Sequence, residues 1–218
     1  MQTLKQVFIA VTLLSLLTIN AYALPSSGDT VVLQNGDFGT TAGGEFDIFV
    51  NGSTTRNYIS FCLERDENIR YGTEYVISSI SNYAELGGLG GQDATGKDSI
   101  DVKTAWIYWN YLYGNLSAWG TEDALANLVQ KSIWEIEGEG TFSSNDSFLD
   151  FVDNLGSWEI AGNVQAMNIV RYESDGETIK EYHQSQLIAD PVPEPTTMLL
   201  FGTGIAALAG VSRRKMRK

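Results

Sequence analysis

Two residues far apart in the sequence have side chains that could form a covalent bond with each other. Cys62 is the only cysteine of the 218-residue chain, so it pairs with another chain, stays buried or reacts with a different group. Gln130 lies at the edge of a predicted buried helix face, where an unpaired amide would cost about 1–3 kcal/mol. A thiolate that attacks the Gln130 carboxamide and expels ammonia would leave an internal thioester. The alternative is a buried, inert cysteine beside a hydrogen-bonded glutamine.

An internal thioester makes demands on the residues around it. It hydrolyses unless water is kept away, and we expect Phe61 and Trp134 to form a water-excluding wall. The sulfur and the amide carbon must also be held in near-attack geometry, which a rigid strand packed against a rigid helix supplies. Because the surrounding sequence is acidic, we expect the pKa of the Cys62 thiol to be raised.

Alternating apolar residues predict that Cys62 lies on a strand in a β-rich first third of the chain. Three segments show this alternation: GEFDIFVNG, NYISFCLE and EYVISSIS. The Asn51-Gly52 dipeptide predicts a tight turn after the first of them. On an alternating strand, Cys62 faces the same way as Ser60 and Glu64, opposite an apolar side.

Helical spacing predicts two helices in the middle of the chain. The first begins near Val102 and ends at Gly114, and the second has Thr121 as its N-cap and ends before Gly138. The second helix carries Gln130. The predicted buried stripe of the first helix has i, i+3, i+4 spacing: Val102, Ala105, Trp106, Trp109, Leu112 and Tyr113.

The remaining segments complete an α+β domain over residues 24–190. A short third helix is predicted over residues 145–154, and strands return in NVQAMNIVRYE and YHQSQLIA. The ESDGE segment between these strands predicts a hairpin turn. The fold class is therefore a strand-rich N-terminal part, two to three central helices and C-terminal strands.

Two short motifs resemble those of bacterial Cys-Gln thioester domains, which are parts of surface proteins. The FCL motif contains Phe61, Cys62 and Leu63, and the VQKSIW motif extends from Val129 to Trp134. The resemblance implies a cysteine on a strand, a glutamine on a later helix and a thioester between them. It also implies that the thioester captures an amine on a target surface.

Other groups of residues are weaker candidates for a functional site. The aromatic residues Trp106, Tyr108, Trp109 and Tyr111 could stack on sugar rings, but Trp106 and Trp109 share the predicted core stripe. Acidic side chains could form a hydrolase pair, yet in so acidic a chain such pairs arise by chance: Glu135, Glu137, Glu139, Asp150 and Asp153. His183 is the only histidine, which excludes a histidine-cluster metal site.

A Gly-rich loop has the spacing of a nucleotide-binding P-loop without its chemistry. Gly91, Gly96 and Lys97 fit the pattern, but Asp98 lies where a Ser or Thr should hold Mg²⁺. We therefore expect no nucleotide, cofactor, metal or catalytic residue, and no enzymatic turnover.

The N-terminus resembles a secretory signal peptide over residues 1–23. Lys5 precedes the apolar run VFIAVTLLSLLTI, and Ala21 and Ala23 provide small residues at a cleavage site before Leu24. Residues 24–190 contain 8 basic and 26 acidic residues, a net charge of −18. Such a surface repels nucleic acid and anionic lipid, so no nucleic-acid partner is expected.

The C-terminus, residues 191–218, has three successive parts. The motif Val192-Pro193-Glu194-Pro195 comes first. Residues 197–211 then form an apolar segment that is shorter than a typical membrane-spanning helix. A basic cluster follows, which leaves the C-terminus in the cytoplasm by the positive-inside rule: Arg213, Arg214, Lys215, Arg217 and Lys218.

This order of parts resembles the PEP-CTERM sorting signal of Gram-negative bacteria, many of which make exopolysaccharide. The resemblance implies that exosortase, a membrane-embedded enzyme, processes the tail, so that residues 197–211 lie in the membrane only transiently. The protein would be exported through the inner membrane and reach the cell surface or the medium. There it would attach covalently through a Cys62–Gln130 thioester to a surface amine. The alternative is non-covalent binding in an exopolysaccharide or biofilm matrix, with no reactive bond.

Overall fold

The computed structural model describes residues 24–40 and 43–190, together with the isolated Gly204. Apart from Gly204, the predicted signal peptide and sorting helix therefore lie outside the described residues. Residues 24–190 form one compact unit, which contains the following elements: β1 Thr30–Asn35, β2 Phe46–Val50, β3 Tyr58–Ser60, β4 Glu74–Ser81, β5 Tyr83–Ala84, β6 Asp98–Ser99, α1 Val102–Leu112, α2 Glu122–Ile136, α3 Asp146–Asp153, β7 Val164–Tyr172 and β8 Ile179–Ala189. Within the described ranges, no helix has the length and hydropathy needed to span a membrane. The α+β class is confirmed.

Six strands form an antiparallel sheet in the order β3-β2-β1-β4-β7-β8. The two edges of this sheet meet, because the chain that follows β3 pairs with β8. Cys62 forms a β-bridge with Gln186, and the Leu187 N–H donates to the Phe61 carbonyl at 2.9 Å. The sheet thus closes into a ring, with Cys62 at its seam.

The predicted strand around Cys62 is shorter than its alternation indicates. β3 ends at Ser60, and Cys62 contributes only the bridge to β8. Both faces of this segment are buried: Phe61 is 0% exposed and Cys62 is 1% exposed. Cys62 faces a core cluster that includes Leu33 and Ile48, whereas Phe61 packs against α1. Both faces are therefore covered, although the alternation pattern predicts burial only for the face that carries Phe61.

The turns and most of the later strands agree with the sequence predictions. Asn51 and Gly52 adopt φ angles of 50° and 71°, as the predicted tight turn requires. The hairpin turn between β7 and β8 is closed by the Glu173 N–H, which donates to the Thr178 carbonyl at 2.8 Å. β1 and the short pair β5 and β6 are strands that the sequence patterns did not predict.

Helix α1 lies where it was predicted but is rotated about its axis. Asp101 caps its N-terminus by accepting a hydrogen bond from the Lys103 N–H at 2.7 Å. Val102, predicted to be buried, is 59% exposed. The buried residues are Thr104, Ile107, Tyr108 and Trp109. The Tyr108 hydroxyl donates to the Ile59 carbonyl at 2.6 Å, and this polar contact favours burial of the tyrosine face.

Helix α2 presents a polar stripe at helical spacing toward the start of the sheet. Asp123 and Asn127 accept hydrogen bonds from the backbone N–H groups of Gly39 and Thr40, at 3.0 and 3.2 Å. Gln130 continues this stripe one turn further along the helix. Thr121 lies at the N-cap position as predicted, although its side chain makes no capping hydrogen bond.

Candidate functional site: Cys62 and Gln130

The closed sheet and helix α2 bring Cys62 and Gln130, 68 positions apart in sequence, into direct contact. The Gln130 Oε1 accepts a hydrogen bond from the Cys62 backbone N–H at 3.0 Å and from the Cys62 thiol at 3.2 Å. The Gln130 Nε2 donates to the Cys62 carbonyl at 2.8 Å. Gln130 is 0% exposed, so it is fully buried rather than at the edge of the helix face.

The amide of Gln130 pairs with the Cys62 backbone as a neighbouring strand would. Each of its polar atoms has a partner, which removes the cost of burying an unpaired amide. Two of the three hydrogen bonds use the backbone of Cys62 and only one uses its thiol. The same geometry therefore serves a structural pair and also places the thiol against the amide group that it would attack.

Burial, followed by the charge of the nearby Glu64, raises the pKa of the Cys62 thiol well above its ordinary value. Burial also raises the pKa of Glu64 to about 8. The expected rise of the thiol pKa is confirmed in direction. At neutral pH the thiol is protonated, consistent with its role as a donor to the Gln130 oxygen.

A cavity of about 350 Å³ lies beside this pair. Cys62, Gln130 and Trp134 line its buried part, and more exposed residues such as Arg65 and Tyr71 line its outer part. Since the thiol and the amide are otherwise buried, any molecule that contacts them would enter through this cavity. Its volume is large enough for a small side chain or an alkylamine.

Only one of the two expected shielding residues lines the cavity. Trp134 is 7% exposed, and its ring centroid lies 6.1 Å from that of Phe142. The Trp134 Nε1 lies near enough to the Cys62 thiol to lower its pKa. It nevertheless falls short of hydrogen-bond geometry and has no partner among the described residues. Phe61 packs on the opposite side against Tyr111, at 4.9 Å between ring centroids.

Four of the five acidic residues that could have formed a hydrolase pair make other contacts instead. Glu139 accepts hydrogen bonds from the N–H groups of Arg65 and Leu89 at 2.8 and 2.6 Å. Glu137 and Glu135 likewise each accept a hydrogen bond from a backbone N–H. Asp153 forms an ion pair with Lys103 at 2.7 Å. In the described part of the chain, no group of three or more His, Cys, Asp or Glu residues could hold a metal ion.

The other weaker candidates also have local partners. In the Gly-rich loop, the Lys97 Nζ donates to the Tyr83 hydroxyl at 2.9 Å, and Gly91 lies against the Asp98 carboxylate, where a phosphate would be repelled. Among the aromatic residues, Tyr108 is buried, and Trp106 packs against Phe151 with ring centroids 6.3 Å apart.

Sequence reasoning missed the residues at the outer part of the cavity, including Arg65, Glu67 and Tyr71. A loop that directly follows a strand carrying a nucleophile is a signal that could have identified Arg65 and Glu67. The stripe of Asp123, Asn127 and Gln130 on one helix face is another such signal.

The comparisons with known proteins concern the C-terminal tail. Residues 191–217 match the PEP-CTERM protein-sorting motif. This PEP-CTERM segment contains the predicted Val192–Pro195 motif and four of the five basic residues, and Lys218 follows directly. The resemblance stated from the sequence is thus confirmed for the tail. The match supports an exported protein that exosortase processes at the membrane and sorts to the cell surface. No curated protein and no solved structure matches the chain.

Proposed function

We propose that the exported domain forms an internal thioester between Cys62 and Gln130 and attaches covalently to an amine on a surface. The observation that carries the proposal is the triple contact between the Gln130 amide and Cys62 in the buried part of a cavity. A buried thiol without a function needs neither a cavity nor an amide whose oxygen it contacts. The protein acts once per molecule and has no enzymatic turnover.

The formation step conserves atoms and charge. The Cys62 sulfur attacks the amide carbon of Gln130, the C–N bond breaks, and the thiol proton leaves with the amide nitrogen as ammonia. The Cys62 N–H lies 3.0 Å from Oε1, where negative charge develops in the tetrahedral intermediate, so it acts as an oxyanion donor. The Trp134 Nε1, which has no hydrogen-bond partner that the structure describes, lies near the Cys62 sulfur and favours its negative charge as it attacks.

The capture step reverses this chemistry with a different amine. The nitrogen of a target amine attacks the thioester carbon, the C–S bond breaks, and Cys62 regains a proton from the attacking nitrogen. The product is an amide that joins the target to Gln130. A raised thiol pKa favours protonation of the departing sulfur, which makes the attachment persistent.

The first test is the intact mass of residues 24–190, compared with that of the Cys62→Ala variant. We expect the wild-type protein to be one ammonia lighter than its sequence, and we expect methylamine to add across the bond. Cys62→Ala is the clean control, because both backbone hydrogen bonds to Gln130 remain. A wild-type protein with its plain sequence mass and a titratable thiol would contradict the proposal. It would favour the non-covalent matrix-binding alternative.

The thioester would also act as a cross-link that stabilises the fold. It joins residues 68 positions apart, and closing a loop of this length in the unfolded chain stabilises the folded state by about 2–4 kcal/mol. We therefore expect methylamine to lower the melting temperature of the wild-type protein to near that of Cys62→Ala, measured by calorimetry. An equal effect of methylamine on Cys62→Ala would show that it acts as a general denaturant.

A further inference from the structure

One carboxylate in the cavity has no structural partner. Glu67 follows Cys62 by five residues, and its half-buried side chain lines the same cavity as Cys62 and Gln130. Within the described part of the chain, Glu67 makes no hydrogen bond and no ion pair. A half-buried carboxylate that no protein group pairs with is available to a ligand that enters the cavity.

The loop that carries Glu67 is held in place on both sides. On one side, the Arg65 N–H donates to the Glu139 carboxylate at 2.8 Å. On the other side, the Asn68 carbonyl lies 2.9 Å from the Nδ1 of His183 on β8. The backbone on both sides of Glu67 is therefore held by the fold, and its side chain lines the cavity.

The charges around Glu67 make it able to bind a cation and to accept a proton. Burial, followed by the charges of Asp66 and Glu139, raises the pKa of Glu67 to about 7. Glu64 is buried nearby on the same segment. Arg65 is the other charged residue that lines the cavity, and its guanidinium carbon lies 5.3 Å from the centre of the Phe142 ring.

We propose that Glu67 binds the ammonium group of the target in the cavity and takes one of its protons, so that the freed amine attacks the thioester. This inference rests on the proposed Cys62–Gln130 thioester and identifies the residue that selects its target. The proton moves from the target nitrogen to the Glu67 carboxylate, and the neutral amine then attacks the thioester carbon of Gln130. The C–S bond breaks, the Cys62 sulfur takes the second proton from nitrogen, and Glu67 later releases its proton to water.

The substrate class that fits this site is a primary alkylamine that is cationic at neutral pH, such as a lysine side chain. Glu67 attracts it by charge, and the net charge of −18 over residues 24–190 favours approach of a cationic target. Sugar hydroxyls are uncharged, so they have no ammonium proton to transfer and form no ion pair with this carboxylate. The site is thus suited to proteins or amine-bearing polymers rather than to neutral polysaccharide.

The test compares the wild-type protein, Glu67→Gln and Asp66→Asn with two nucleophiles. Asp66→Asn is the matched control, because it removes one negative charge from the same loop but none from the cavity lining. Intact mass first establishes that each protein has lost ammonia. The rate of addition is then measured with methylamine, which is cationic, and with hydroxylamine, which is uncharged near pH 7.

We expect Glu67→Gln to lose ammonia as the wild type does but to react with methylamine roughly 10–100-fold more slowly. Its rate with hydroxylamine should change by less than about threefold, which is well below a full general-base effect. The pH dependence of the wild-type methylamine rate should show an inflection near pH 7. This inflection should be absent in Glu67→Gln. Asp66→Asn should react with both nucleophiles at close to the wild-type rate, with the inflection of its methylamine rate moved to lower pH, because the charge of Asp66 raises the pKa of Glu67.

Each failure has a distinct signature. A wild-type protein that keeps its ammonia overturns the thioester, and with it the role of Glu67. A Glu67→Gln protein that forms the thioester and reacts with methylamine at the wild-type rate overturns only the role of Glu67. Equal slowing with both nucleophiles, or failure of Glu67→Gln alone to lose ammonia, would assign Glu67 to the structure or to bond formation and also contradict the proposal.

Discussion

Replacing Gln130 with alanine is expected to leave the domain about 3–5 kcal/mol less stable than the Cys62→Ala variant. Neither variant forms a thioester, so the difference isolates the amide of Gln130. In Cys62→Ala the amide still pairs with the backbone N–H and carbonyl of residue 62. In Gln130→Ala both backbone groups lose their partner in a buried position, and a cavity remains.

Chemical denaturation of both variants, with Lys131→Ala as a control, tests this expectation. Lys131 lies next to Gln130 on the same helix and is only partly buried, so its replacement should change stability by less than about 0.5 kcal/mol. Equal stabilities of Gln130→Ala and Cys62→Ala would mean that water or rearranged side chains replace the amide. The paired backbone geometry would then contribute nothing to stability.

The domain is expected to lose stability as the pH rises from 5 to 8, by on the order of 3–5 kcal/mol. Burial raises the pKa of Glu64 to about 8 and that of Glu137 to about 7, whereas both groups ionise near 4.5 in the unfolded chain. Between these values the folded state binds more protons than the unfolded state. Stability is therefore fully present below pH 4.5 and decreases as the pH rises through the folded pKa values.

The pH dependence of the melting temperature checks this prediction, with Glu64→Gln as the informative variant. Glutamine keeps an oxygen that can accept the hydrogen bond from the Ser185 N–H, which measures 2.7 Å to Glu64, but it does not ionise. We expect its stability to fall less between pH 5 and pH 8 than that of the wild type. The remaining fall comes from Glu67 and Glu137, whose pKa values are raised to about 7. The carboxylates with lowered pKa, such as Asp175 at about 2, titrate below this window. A wild-type melting temperature that increases toward pH 8 would contradict the prediction.

Local patterns in the sequence were sufficient for most elements of the domain, though not for β1, β5 and β6. The Asn51-Gly52 turn, the stop of α1 at Gly114 and the hairpin around Gly176 all adopt the positive φ angles that these residues favour. The spacing of apolar residues located α2 and the two C-terminal strands. The tail motif within residues 191–217 was also recognisable without a structure, because it is a linear signal that an enzyme reads along the chain.

Two features of the domain depended on tertiary contacts. The rotation of α1 was mispredicted, because Tyr108 is buried and Tyr111 is partly buried while their hydroxyl groups donate to Ile59 and Glu45. A scale of hydrophobicity does not count such hydrogen bonds. The burial of both Phe61 and Cys62 likewise followed from an element that covers each face.

The sequence by itself determined the residue types of the candidate site and the sorting signal at the C-terminus. It predicted that the side chains of Cys62 and Gln130 could react with each other, and its acidic composition predicted a raised pKa of the Cys62 thiol. The tertiary structure decided that the two side chains touch, since the meeting of β3 with β8 and the packing of α2 are contacts between distant parts of the chain. It also placed Glu67 in the cavity, because a loop position depends on the anchors at both of its ends.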